Sequence, residues 1–107
     1  MEELLAALQQ KKIVVQVDED IKDLIPGFLA NRQQDIVNLQ RALAAGDFQS
    51  IQFIAHGLKG SGAGYGFDFI SQLGRRLEEA AKSKQETLVK QLIDLLPVYL
   101  QRIELQN

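Results

Sequence analysis
The stretch "GDFQSIQFIAHGLKGSGAGYGF" (residues 46–67) decides how this chain is built. It opens with a helix stop beside a helix start. Gly46 accepts the left-handed conformation that ends one helix, and Asp47 offers a side-chain oxygen to the first free amides of the next. So tight a junction folds two helices back on each other, antiparallel. From Phe48 onward, a turn of roughly 100° per residue gathers Phe48, Ile51, Ile54, Ala55, Leu58 and Gly62 into one apolar stripe. His56, the single histidine of the chain, falls opposite that stripe. Gln52, Phe53, Lys59, Gly60 and Ala63 lie beside it. The spacing predicts a helix with one face in the core and a histidine in water on the other.

The same periodicity continues outward in both directions. Upstream, Asp18 can cap a short helix whose face is Ile21, Leu24 and Ile25. Pro26 suits the first turn of a longer helix carrying Phe28, Leu29, Ile36, Leu39 and Leu43. Downstream, Gly62, Gly64 and Gly66 are read as close packing and a turn between two helices. The next helix, from about 67 to 81, turns Phe69, Ile70, Leu73, Leu77 and Ala81 inward. Ser83 and Glu86 have the S-x-x-E spacing of a capping box for a last helix. That helix buries Leu88, Leu92, Leu95, Leu96 and Leu100, and Pro97 should kink it. At the N-terminus, Leu4, Leu5 and Leu8 form a short first helix. "KIVVQV" (residues 12–17) is β-branched but shows no partner strand, so it is read as an extended connector. The expected fold is all-α: an antiparallel four-helix bundle over about residues 18–105, with an additional short N-terminal helix laid across it. Residues 1–14 are that helix and its connector, and residues 1–107 form a single domain.

Composition narrows the function. With 46% apolar residues the chain can build a modest core. It has no cysteine, so disulfides and thiolate metal sites are excluded. A net charge of −2 argues against nucleic acid as a partner, because phosphate-backbone binding needs a concentrated basic face. No apolar run approaches the roughly 20 residues that cross a bilayer, so no membrane partner is expected. The N-terminus is acidic first and basic last, the reverse of a secretory signal, which points to a soluble, cytoplasmic protein.

An exposed histidine by itself is ordinary, but its neighbours are less so. Gly60 sits one turn beyond His56 and faces outward, where packing gives no reason for a missing side chain and glycine costs about 1 kcal/mol relative to alanine. Gly57 adds a second such cost, for which close packing or fraying suffices. Lys59 is either a solvated lysine or a cation placed for an anion on the imidazole. Phe53 is either a lone exposed aromatic or part of a docking patch that includes Ala63. Ser61 falls on the inner side of the helix. The glycines do not fit a nucleotide loop: both G-x-G-x-x-G and G-x-x-x-x-G-K fail on spacing, and both follow a strand. A metal centre needs several convergent ligands, whereas His56 is read as having no carboxylate nearby and is followed by a lysine. Nucleophilic hydrolysis needs a base, an orienting partner and a pocket, none of which is visible.

What remains is the imidazole as a nucleophile. Its ordinary pKa of about 6.5 leaves it largely neutral near pH 7. It can attack an activated phosphoryl group, such as a partner's aspartyl phosphate. A carrier of that kind needs an accessible ring, room for three phosphoryl oxygens and a nearby cation. His56, Gly60 and Lys59 supply these. Gln52, four residues before the histidine, is placed to hydrogen-bond the ring's other nitrogen.

"AHGLKGSGAGYGF" (55–67) resembles the H-x-x-K-G-S signature of histidine-containing phosphotransfer (HPt) domains. "ISQLGRRLEEAAK" (70–82) resembles the helix that follows it in that family. "DLIPGFLANRQQDIVNLQRAL" (23–43) with "GDFQSI" (46–51) resembles the helix before it. The likeness covers about residues 15–105. It implies a histidine phosphocarrier in a two-component phosphorelay, with the phosphoryl group on His56, Lys59 stabilising it and Gly60 leaving space. Ser61 matches the small polar position of the motif, although its inward angle argues against a phosphate contact. The implied partners are receiver domains of response regulators or hybrid sensor kinases; the surface around His56 is the expected docking face, and the sequence leaves open whether Arg75 or Arg76 takes part. No cofactor, metal or ATP site is implied: the phosphoryl group is passed on stoichiometrically, and the chain is not an enzyme in its own right. It is expected as a monomer, either a stand-alone carrier or part of a longer protein. Two other readings compete: a non-catalytic helical adaptor docking a partner through the surface around Phe53, and a receiver phosphatase. The phosphatase is disfavoured because no second group is placed to activate water.

Overall fold
The computed structural model describes residues 1–106. Its elements run α1 (Glu2–Ala7), β1 (Ile13–Gln16), α2 (Ile25–Ala44), α3 (Phe48–Ser61), α4 (Asp68–Lys82), α5 (Glu86–Arg102) and β2 (Ile103–Gln106). The four long helices form the expected antiparallel bundle, with α1 against α4. The α2–α3 reversal is built as its sequence predicts. Gly46 takes φ 68°, while Gly46 N–H bonds Leu43 O at 3.0 Å and Asp47 N–H bonds Ala42 O at 2.8 Å. These are the paired bonds that close a helix on a left-handed residue. Asp47 then accepts from Ser50 N–H at 3.1 Å and from the Ser50 hydroxyl at 2.6 Å. Pro26 lies in the first turn of α2.

The core is continuous through all four helices. Leu39, Ile51, Ala55, Leu58, Ile70, Leu73, Leu77, Val89 and Leu96 are fully buried in it. In α4 the inward residues are the expected ones. In α5 the fully buried face is Val89, Leu92, Ile93, Leu96 and Tyr99, while Leu88, Leu95 and Leu100 are only half-buried. Tyr99 stacks on Phe69 with ring centroids 4.3 Å apart. Pro97 lies inside α5, which continues through it to Arg102.

Several expectations fail, each for a non-local reason. "KIVVQV" does have a partner: β1 pairs in parallel with β2 in the register Ile13↔Ile103 through Gln16↔Gln106. A two-stranded sheet is marginal alone. This one is held because Val15 and Val17 are buried against the bundle. Ser83 and Glu86 form no capping box. Ser83 instead ends α4, and the closing bonds Lys84 N–H to Ala81 O and Gln85 N–H to Ala80 O, both 3.0 Å, put Lys84 at φ 54°. Gln85 then precedes α5 without a side-chain cap. The Asp18-capped segment is a 3-10 turn (Glu19–Leu24) in which Leu24 stays exposed and only the following Ile25 is buried. In α1, Leu4 is buried, as is Leu8 just after it, but Leu5 faces solvent. Glu3 accepts from Arg76 at 2.8 Å, and Arg102 donates to Leu8 O, which pins this arm to α4 and α5.

Candidate functional site
The site begins with two glycines that let α3 and α4 approach. A Cβ on Gly74 would lie 2.5 Å from Lys59 N and 2.7 Å from Ala55 O. One on Gly62 would lie 2.6 Å from Ser71 N. Backbone atoms cannot retreat from such contacts as a flexible side chain can, so these positions set the helix spacing. Ser71 uses the closeness. Its hydroxyl donates to Lys59 O at 3.0 Å and accepts from Ala63 N–H at 2.6 Å, fixing the end of α3 to α4. Gly66, at φ 89°, makes the turn between them. Gly64 and Gly57 open onto free space. The packing account of Gly57 therefore fails, while Gly64 lies in the 3-10 turn (Ala63–Tyr65) that joins the two helices.

One helical turn beyond Gly74, α4 presents Glu78 to the histidine. Glu78 Oε2 lies 2.9 Å from His56 Nδ1, and Oε1 accepts from Lys59 Nζ at 2.9 Å. A single carboxylate therefore holds ring and ammonium together. The Lys59 hydrogen bond is the main cause that keeps the Glu78 carboxyl below its ordinary range. Partial desolvation opposes it, and the His56 hydrogen bond adds to the lowering. An ionised carboxylate only accepts, so Nδ1 carries a proton, and in the neutral ring Nε2 keeps its lone pair. The His56 side chain is 68% exposed and that of Glu78 26%. The ring stands largely exposed above a carboxylate set into the α3–α4 seam.

The neighbours expected from the helical count take their places. Phe53, 81% exposed, stands at the lip of a groove of about 520 Å³ between α2 and α3, lined also by Asn38, Arg41, Ala42, Ala45, Asp47, Ser50 and Ile54. Gly60 lies in the last turn of α3, and a Cβ there meets nothing within 4 Å. Ala63 is exposed. Ser61 is turned inward, as its angle requires: its hydroxyl donates to Gly57 O at 2.9 Å and accepts from Arg32 Nη1 at 3.2 Å. Arg32 itself lies 4.5 Å over the Phe28 ring and 2.8 Å from Asp35. Phe28 in turn stacks on Tyr65 and Phe67, centroids 4.4 and 5.2 Å away, so α2 clamps the α3–α4 turn.

Gln52 does not orient the ring. The nitrogen expected for it is taken by Glu78, and Gln52 makes no hydrogen bond to His56 among the described residues. The lean of side chains toward the N-terminus of their own helix suggested Gln52, but the closer group comes from the neighbouring helix. The premise that His56 has no carboxylate nearby is likewise corrected, because Glu78 lies 22 positions away in sequence. Glu78, Ser71 and Gly74 all went unnoticed in the sequence. A signal existed for Gly74 alone: a glycine on the buried face of a strongly amphipathic helix marks close backbone approach. Among the described residues, no three His, Cys, Asp or Glu side chains converge as a metal site needs. No helix among them is long and apolar enough to cross a membrane.

The bundle thus carries an exposed histidine on α3, a lysine one turn on and a bare glycine beside it. The model of the Hpt domain family matches residues 23–106; the chain belongs to that family. Hpt domains are phosphotransfer modules of two-component signalling, and they carry the phosphoryl group without an ATP-binding catalytic site of their own. No curated protein and no solved structure matches the chain.

Proposed function
We propose that the chain is the histidine carrier of a multistep phosphorelay, taking a phosphoryl group from one receiver-domain aspartate and giving it to another through His56. The observation that carries the reading is a ring held on one side only, with Nδ1 2.9 Å from Glu78 Oε2 and 68% of the side chain exposed. In the forward step the Nε2 lone pair attacks the phosphorus of an aspartyl phosphate. The N–P bond forms as the bond from phosphorus to the carboxyl oxygen breaks, and that electron pair leaves with the aspartate carboxylate. The proton on Nδ1 stays, and Glu78 balances the positive charge that the ring acquires. Lys59, one turn away, is the cation for the added phosphoryl oxygens. Open space at Gly60 admits the group together with its protein carrier. Attack by a second receiver's aspartate reverses the step.

Incubation with a phosphorylated cognate receiver should place acid-labile phosphate on wild type and none on His56→Gln. Equal labelling of the two overturns the proposal. The adaptor reading keeps one observation in its favour, the exposed Phe53 beside a partly apolar groove. It requires His56→Gln to bind and signal like wild type while Phe53→Ala fails. On the carrier reading, Phe53→Ala weakens partner binding and His56→Gln abolishes transfer.

A further inference from the structure
The two flanks of His56 differ in character. On the α2 side the surface is the partly apolar groove bordered by Phe53. On the α4 side lies a shallow depression of about 320 Å³, lined by Lys59, Ser71, Gln72 and Arg75, with neither a carboxylate nor an apolar side chain in its wall. Its two cations are unequal. Lys59 is already held by Glu78. Arg75 is exposed and makes no ion pair among the described residues. The adjacent Arg76, about 100° further round the helix, is occupied by Glu3 at 2.8 Å. Of the doublet, only Arg75 offers an uncommitted charge. In a chain of net charge −2, the depression is a local reversal of sign.

We infer that Arg75 is a docking residue that receives a carboxylate-bearing surface segment of the partner protein delivering or accepting the phosphoryl group. The inference rests on the carrier reading above. A planar guanidinium with no internal partner matches a carboxylate in a two-pronged contact. Side chains lean toward the N-terminus of their helix. For α4 that direction runs from Glu78 toward Ser71, so Arg75 points away from His56. It therefore meets the partner's surface and not the phosphoryl group itself. The groove flank supplies contact area, while the cationic flank steers approach and fixes register. Steering acts on the association rate and fades with salt.

The test is rapid-quench transfer from a phosphorylated receiver that labels wild type, from about 0.02 to 0.5 M salt. The variants are Arg75→Glu, Arg75→Gln and Lys11→Glu, which changes net charge equally on the remote arm. Arg75→Glu should lower the second-order rate constant on the order of tenfold at low salt, with the gap closing as salt rises. Arg75→Gln should fall between it and wild type, and Lys11→Glu should match wild type. The first-order rate at saturating receiver should change far less than the second-order constant. Equal second-order constants and salt slopes for Arg75→Glu and wild type overturn the inference. A loss confined to the saturated rate, or to phosphohistidine lifetime without partner, also overturns it, because Arg75 would then act on the phosphoryl group. A wild type that no receiver labels is a different failure: it removes the carrier reading, and this inference with it.

Discussion
Gly60→Ala should make the protein slightly more stable and a much poorer carrier. The two effects come from the same empty space. A Cβ at residue 60 meets nothing within 4 Å, so the substitution creates no clash in the free protein. Alanine is the better helix former by up to about 1 kcal/mol in a helix interior. Residue 60 lies in the last turn of α3, where about half of that gain is expected. Helical Cβ atoms tilt toward the N-terminus, so the new methyl leans back over His56, one turn earlier, into the space where a phosphoryl group and its carrier protein must arrive. Forcing a methyl into such a contact costs about 1–3 kcal/mol. At about 1.4 kcal/mol per factor of ten, transfer should slow on the order of tenfold to a hundredfold. Urea denaturation gives the stability and rapid-quench transfer from a phosphorylated receiver gives the rate. A stabilised variant transferring at the wild-type rate would refute the idea that the glycine is kept for access. A destabilised variant would show that the surface beside His56 is not open.

Two further substitutions test the α3–α4 seam. Gly74→Ala gains the full mid-helix propensity of about 1 kcal/mol but drives a methyl to 2.5 Å from Lys59 N. The helices must separate, and net destabilisation of about 1–2 kcal/mol is expected in urea; unchanged stability would mean that the seam is looser than described. Glu78→Ala should release His56 to both neutral tautomers, visible in nitrogen-15 spectra of the ring, and should slow transfer by several-fold. Its pH signature has a definite sign. The folded carboxyl is held below its ordinary value of 4.5, chiefly by Lys59, so its contribution is complete above that value and is lost as pH falls through the lower folded one. The stability difference between wild type and Glu78→Ala should be flat at higher pH and shrink in acid below about 4.5. A difference that grows in acid would contradict the assignment.

The parts of this molecule legible in its sequence are those that one helix decides alone. Which side of α3 faces water depends on the spacing of Phe48, Ile51, Ala55 and Leu58, and so His56, Phe53 and Gly60 could be placed before any coordinates. The two-residue stop at Gly46–Asp47 is equally local, because its bonds join atoms within six residues of each other. The failures are contacts across sequence. β1 finds its partner about ninety positions away, in four residues that look no different from the tail of a helix. The S-x-x-E spacing at Ser83 was a sound local signal, but the close of α4 used the same residues first.

The same division explains why the histidine was found and its orienting partner was not. A helix face fixes where a ring points, but not which residue of a neighbouring helix comes level with it. That is set by the register between α3 and α4, and the register depends on where backbone can touch backbone. Gly62 and Gly74 are the two places without room for a Cβ, and they straddle the Ser71 hydroxyl that bonds both Lys59 O and Ala63 N–H. With those contacts fixed, the residue one turn past Gly74 must lie beside the residues one turn inside the end of α3. Glu78 therefore reaches His56 and Lys59 at once, at 2.9 Å each. The meeting of the ring with its carboxylate depends on two missing methyl groups, one on each side of the seam.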